Sequence, residues 1–147
     1  MTFTAPPLGR SSVRTARAAY EPCVLVVDDD PFVCSFVRTA LKGAGYRTLG
    51  ASDLDSALAL FESARPRVSV AVLDVSMPGG DGPDLLRELR WSRPNLPAIF
   101  MSGELDPELS NELADRLRAE GATALLAKPM RASDLCAAVA AALADGS

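Results

Sequence analysis

Histidine is absent from all 147 residues of this chain. That excludes a phosphohistidine carrier, a histidine general base and any zinc site built on imidazole. Cysteine is scarce: Cys23, Cys34 and Cys136 stand apart, with no CxxC pair. Each lies in an apolar run, so they read as small buried hydrophobes of a reducing compartment rather than redox centres. No apolar run approaches the ~18 residues of a membrane span, so no membrane partner is expected. GxxxxGKS and GxxxxGKT are both missing, which excludes a Walker-type nucleotide loop. Outside the N-terminus acids outnumber bases. Met1 to Tyr20 carries Arg10, Arg14 and Arg17 and no acid, so a net charge of −4 leaves −7 on the remainder. So acidic a body suits no phosphate backbone, and no nucleic-acid partner is expected.

What is present is 48% hydrophobic and 23% charged, enough at this length for one globular domain with its own core. Residues 1–20 are expected to form a flexible basic tail, and residues 21–147 the domain. The tail is rich in Ser and Thr, as a transit peptide would be, but it lacks an amphipathic stripe and reads as a disordered extension.

From Pro22 onward, short apolar runs alternate with helical patterns. Val24 to Val27 is a continuous β-branched run suited to a strand buried on both faces. Pro31 opens a helix that runs to about Lys42 and stops at Gly43. Arg47 to Gly50 is a weaker strand. Ser52 with Asp55 reads as a capping box, before Leu54, Ala57, Leu58 and Phe61 at helical spacing. Val68 to Leu73 is a third strand ending on Asp74. The loop SMPGGDGP then leads to a short helix from about Asp84 to Arg90, with Trp91 covering the core edge. Ala98 to Met101 is the fourth strand. Asp106 and Pro107 begin a helix whose apolar face carries Leu109, Leu113 and Leu117, and which ends before Gly121. Ala124 to Ala127 is the fifth strand, and Ser133 caps a last, alanine-rich helix. Five strand–helix pairs give an α/β fold with one doubly wound, five-stranded parallel sheet and helices on both faces.

In such a sheet, functional groups gather at the carboxyl ends of the strands. There stand Asp28, Asp29 and Asp30 on the first strand, Asp74 on the third, Ser102 on the fourth and Lys128 on the fifth. Adjacent carboxylates repel, by about 4 kcal/mol at ~4 Å and an effective dielectric near 20. Either the triplet is a solvated turn, or something relieves the repulsion. If the first and third strands are neighbours, Asp28, Asp29 and Asp74 converge on an oxygen-rich pocket for a hard divalent cation, Mg2+ fitting best. A carboxylate, a metal, a lysine and a hydroxyl are the parts that phosphoryl transfer onto Asp74 would require.

The segments VLVVDDDP, VLDVSMPGGDG, IFMSG and LLAKPM, in that order, resemble the receiver domain of two-component response regulators over about Pro22 to Ala144. The resemblance implies a flavodoxin-like sheet of order 2-1-3-4-5 and a cytoplasmic phosphoacceptor that is not an enzyme in its own right. It implies Asp74 as acceptor, with Asp29, Asp74 and the Ser76 carbonyl binding Mg2+ directly and Asp28 completing the acidic pair. Ser102 would hydrogen-bond the phosphoryl group and Lys128 contact it. Asp30 falls outside the acidic pair and reads as a helix cap. Ser76 and Glu104 take positions that in the family tune phosphoryl lifetime.

One departure stands out: Leu125 occupies the position where receivers usually carry the Tyr or Phe of their aromatic switch. The chain carries no recognisable output domain after the last helix, so the expectation is a single-domain regulator, monomeric or weakly dimeric. Its expected partners are a histidine kinase and a histidine phosphotransfer protein. Phe32, Val33, Phe36, Val37, Ala40 and Leu41 form a stripe wider than one sheet face demands, either wholly core or partly a partner surface beside the acidic site. Two other classes remain. One is a phosphorylation-independent receiver-fold adaptor, favoured by Leu125. The other is a phosphohydrolase with its nucleophile on the first strand, opposed by Phe32 where a hydroxyl residue is needed.

Overall fold

The computed structural model describes residues 21–64, 67–77, 81–103 and 107–146. The expectations placed on the 1–20 tail, on Glu104 and on the Asp106 cap lie outside these residues, as do those on the Leu109 and Leu113 side chains. The elements alternate strictly: β1 (Cys23–Val27), α1 (Pro31–Gly43), β2 (Arg47–Ala51), α2 (Leu54–Ser63), β3 (Val68–Asp74), α3 (Gly82–Ser92), β4 (Ala98–Ser102), α4 (Pro107–Ala119), β5 (Ala124–Ala127) and α5 (Ala132–Gly146). The sheet is five-stranded and parallel throughout, in the order β2-β1-β3-β4-β5.

Strand alternation divides the interior into two cores. Leu25, Val27, Leu73 and Phe100 point to one face, where Phe61 of α2, Leu85 and Leu89 of α3 and Leu117 of α4 cover them. Val24, Val26, Val72 and Met101 point to the other, against Val37 and Leu41 of α1 and Leu135 and Val139 of α5. β1 is buried at all five positions, as its unbroken apolar run requires. The register between β1 and β3 slips between Cys23 and Val24, which pair with Val68 and Val70, leaving Ser69 as the extra residue. Its Oγ accepts the Cys23 amide at 3.3 Å, so the bulge leaves no orphan donor there.

Several local expectations need correction. The cap of α2 is Asp53, not Ser52: its Oδ1 accepts the Ser56 amide at 2.7 Å, while Ser56 Oγ donates back to the Asp53 carbonyl. Ser133 does not cap α5. That helix begins at Ala132, and the Arg131 carbonyl accepts the Leu135 amide, so Ser133 lies inside the first turn. α3 begins at Gly82, two residues earlier than read, because Asp81 Oδ1 caps it through the Asp84 amide at 2.9 Å. α1 runs through Gly43, and the residue of positive φ beyond it is Gly45. Trp91 does not cover the core edge. It is 91% exposed, because it lies two residues, about 200° around the helix, from the buried Leu89.

Candidate functional site

The three consecutive aspartates separate as soon as β1 ends. Asp28 is buried beside β2 and β3, with its amide bonded to the Ala51 carbonyl and its Oδ1 accepting the Asp30 amide at 2.9 Å. Asp29 is exposed at the mouth of the site. Asp30 turns away and caps α1, its Oδ1 accepting the Phe32 amide at 2.9 Å. Because β1 and β3 are neighbours, Asp74 at the end of β3 arrives next to the first two. One carboxylate oxygen from each of Asp28, Asp29 and Asp74 lies within 4.8 Å of the others.

Lys128, just past β5, reaches back across the end of β4. Its Nζ lies 2.8 Å from Asp28 Oδ2 and 3.2 Å from Asp74 Oδ1. The Lys128 amide donates to the Ser102 carbonyl, and the Lys128–Pro129 peptide is cis. Ser102 ends β4 one residue beyond Met101, the register partner of Asp74, and is 8% exposed. Ser76 is exposed two residues past Asp74, and its amide approaches Asp74 Oδ1 only to 3.5 Å. All six residues read from the sequence therefore stand at one end of the sheet.

Electrostatically the site is underneutralised, with three carboxylates facing one ammonium. Burial first, and the Asp28 charge second, push the Asp74 carboxyl up to about 6, against the opposing pull of Lys128. For Lys128, burial works against the charged form. The hydrogen bond to Asp28 and the charges of Asp74 and Asp28 outweigh it and hold the ammonium above the usual lysine range. Apart from that ammonium, no donor among the described residues reaches the buried Asp28 Oδ2. An all-oxygen donor set with surplus negative charge and a buried, under-satisfied oxygen fits a hard divalent cation.

One feature around the site escaped the sequence reading, and a second was left open by it. Gly82 lies so close beneath β3 that a Cβ there would collide with the Asp74 carbonyl oxygen, and its amide donates to the Val75 carbonyl at 2.8 Å. The glycine thus lets α3 seat directly on the end of the strand carrying Asp74. Its only sequence signal was membership of a glycine-rich loop. Second, α1 emerges from the site with Phe32 85% and Phe36 45% exposed, whereas Val37 and Leu41 are fully buried. An apolar groove of 380 Å³ lies between Phe32, Val33, Phe36, Lys128, Pro129 and Met130. The first turns of α1 therefore leave apolar side chains exposed beside the site, while Val37 and Leu41 belong to the core. Leu125 is half-buried against the core that α2, α3 and α4 cover.

The family model for the response regulator receiver domain matches residues 24–140. The chain belongs to that family. It is 35% identical over 123 residues to the KDP operon transcriptional regulatory protein KdpE of Escherichia coli, an alignment covering 82% of this chain and 50% of that one. It is also 35% identical to the sensor kinase CckA of Brucella abortus over 79% of this chain, but only 12% of the kinase. The chain thus spans half or less of these curated relatives. Among solved structures, the Vibrio cholerae chemotaxis protein CheY4 is 30% identical with a TM-score of 0.73, over 84% of this chain and 99% of that one. The receiver domain of NtrX from Brucella abortus is 32% identical with a TM-score of 0.74, over 82% and 98% respectively. The sheet order is that of these flavodoxin-like receivers, and the chain is a receiver domain of two-component signal transduction. Among the described residues, no helix is long and apolar enough to cross a membrane.

Proposed function

We propose that residues 21–147 act as a cytoplasmic single-domain response regulator that accepts a phosphoryl group on Asp74 from a histidine kinase. The observation that carries this reading is the placement of Asp74: buried at a strand end, 3.2 Å from Lys128 Nζ, and within 4.8 Å of two further carboxylates. Asp28, Asp29, Asp74 and the Ser76 carbonyl would hold Mg2+, which when bound supplies positive charge against the transferring oxygens. The Asp74 carboxylate oxygen attacks the phosphorus of a phosphohistidine; the P–O bond forms as the P–N bond breaks, and the imidazole nitrogen keeps the electron pair. Lys128 neutralises the oxygens that arrive, and the Ser102 hydroxyl hydrogen-bonds them.

The groove between Phe32, Phe36 and Met130 opens beside Lys128 and suits an apolar helical surface carrying the donor histidine, on a kinase or a histidine phosphotransfer protein. Output is by protein binding or onward phosphotransfer, with the domain monomeric or weakly dimeric. A second reading, a phosphorylation-independent adaptor, is favoured by Leu125 at the position of the aromatic switch.

Incubating the protein with acetyl phosphate and reading intact mass separates the two readings. The expected result is one phosphoryl adduct that requires Mg2+ and is absent from Asp74→Asn. No adduct, from the small donor or from any histidine kinase, would leave the adaptor.

A further inference from the structure

At the end of the sheet opposite Asp74, where β3 and β4 begin, a cavity of 530 Å³ is lined by Arg67, Ser69, Ser92, Arg93 and Asn95, with Pro94, Pro97 and Leu143 as its apolar wall. No acidic residue lines it. Arg67 and Arg93 both line the space, and among the described residues neither has a carboxylate in ion-pair contact. Arg93 is half-buried; its Nη1 donates to the Val68 carbonyl at 2.7 Å and its guanidinium lies 6.0 Å over the Phe61 ring. One side of its fork is thereby fixed, and among the described residues its other N–H groups have no acceptor. Burial and the Arg67 charge both disfavour the charged form of Arg93.

Of the remaining polar groups, Ser92 is already committed, its Oγ donating to the Leu89 carbonyl at 3.4 Å. Ser69 Oγ already accepts the Cys23 amide, which leaves its O–H to donate, and Asn95 adds an exposed amide. Two arginines without paired anions, with the Ser69 hydroxyl and the Asn95 amide beside them around one concave space, define a site complementary to an oxyanion. Paired guanidinium forks match the geometry of phosphate in particular.

We propose that this cavity binds a phosphate-type oxyanion, either inorganic phosphate or the head group of a phosphate monoester whose body rests on Pro94, Pro97 and Leu143. The site lies outside the acceptor centre and uses none of its residues. It gives the domain a ligand input independent of Asp74.

The test is a backbone-amide NMR titration of the Mg2+-free chain with inorganic phosphate and, separately, with adenosine monophosphate, at ionic strength held constant with chloride. Saturable shifts confined to residues 67–69 and 92–97 are expected. Arg67→Gln, which removes an exposed side chain and leaves the Arg93 bond to Val68 intact, should weaken binding roughly tenfold, as for loss of one charge-assisted contact. Tighter binding of the nucleotide than of phosphate identifies the monoester as the source, and equal binding identifies the free anion. Non-saturating shifts, shifts centred on Asp28 and Asp74, or unchanged affinity in Arg67→Gln would overturn the proposal.

Discussion

The two ends of the sheet face the same physical problem, charge brought near an apolar core, and meet it in opposite ways. At the amino ends of the strands the guanidinium drawn into the fold is that of Arg90, and neutral dipoles satisfy it. Arg90 donates to the carbonyls of Leu96, Glu120 and Gly121 at 2.7–3.1 Å, tying the end of α4 to the strand that follows α3. A Cβ on Gly121, whose φ is 81°, would strike that guanidinium. At the carboxyl ends the charges are carboxylates that face each other, with one lysine among three. Arg90 is complete within the fold, while the carboxylates are arranged to be completed from outside. Buried charge satisfied by backbone stabilises a structure, and buried like charge left unbalanced waits for a ligand.

Removing Lys128, the one cation in ion-pair contact with the acidic cluster among the described residues, should have the largest effect. Lys128→Met leaves Asp28 and Asp74 facing each other without compensation and should cost about 4 kcal/mol in metal-free urea unfolding near neutral pH. Part of that loss should return on acidification, as Asp74 takes up a proton.

The opposite move should stabilise. The folded Asp74 carboxyl sits at about 6, above its ordinary value of 3.8. The native state therefore keeps a proton that the unfolded chain has already released. This contribution is full below the unfolded value and is lost as pH rises through 6. Asp74→Asn should match the wild type at low pH and exceed it by about 3 kcal/mol above pH 6 in chelator, seen as a pH-dependent gap between denaturation midpoints. Mg2+ should close the gap by stabilising only the wild type, and its affinity should fall below pH 6, where a proton competes for Asp74.

At the other end, Arg90→Met strands carbonyls of the α3–β4 and α4–β5 connections and should cost about 2 kcal/mol, with no dependence on metal. The smallest expected change in stability is Phe32→Ala, below about 0.5 kcal/mol, because that ring is already in water. Its effect should appear instead as slower phosphoryl transfer from a histidine kinase, with uptake from acetyl phosphate unchanged. Equal slowing with both donors would remove the groove from the account.

What could be read in the sequence follows the same division. The five strands and the two-faced core rest on patterns of apolar residues, and Val24 to Val27 or Val68 to Leu73 have few alternatives, whereas the strand order came from the family resemblance. The gathering of Asp28, Asp29, Asp74 and Lys128 at one end follows from strand direction alone. Caps were less legible, because Ser52 and Asp53 are both good N-caps and only the Ser56 amide chooses between them. Ser133 failed for the same reason, with Arg131 supplying the first carbonyl of α5. Trp91 misled because a large apolar side chain suggests burial, whereas its angle from Leu89 decides the matter. Gly82 needed three-dimensional knowledge, since nothing local to PGGDGP announces that a strand carbonyl lies where its side chain would be.

The outward position of Trp91 has a spectroscopic consequence. The only indole in the chain is surrounded by water in the native fold, so its emission should already peak where an unfolded chain's does. Intrinsic tryptophan fluorescence will then be nearly blind to unfolding, and stability must be followed by far-ultraviolet circular dichroism. The same indole becomes a selective reporter: a blue shift signals a surface laid over the outer side of α3, against a silent background.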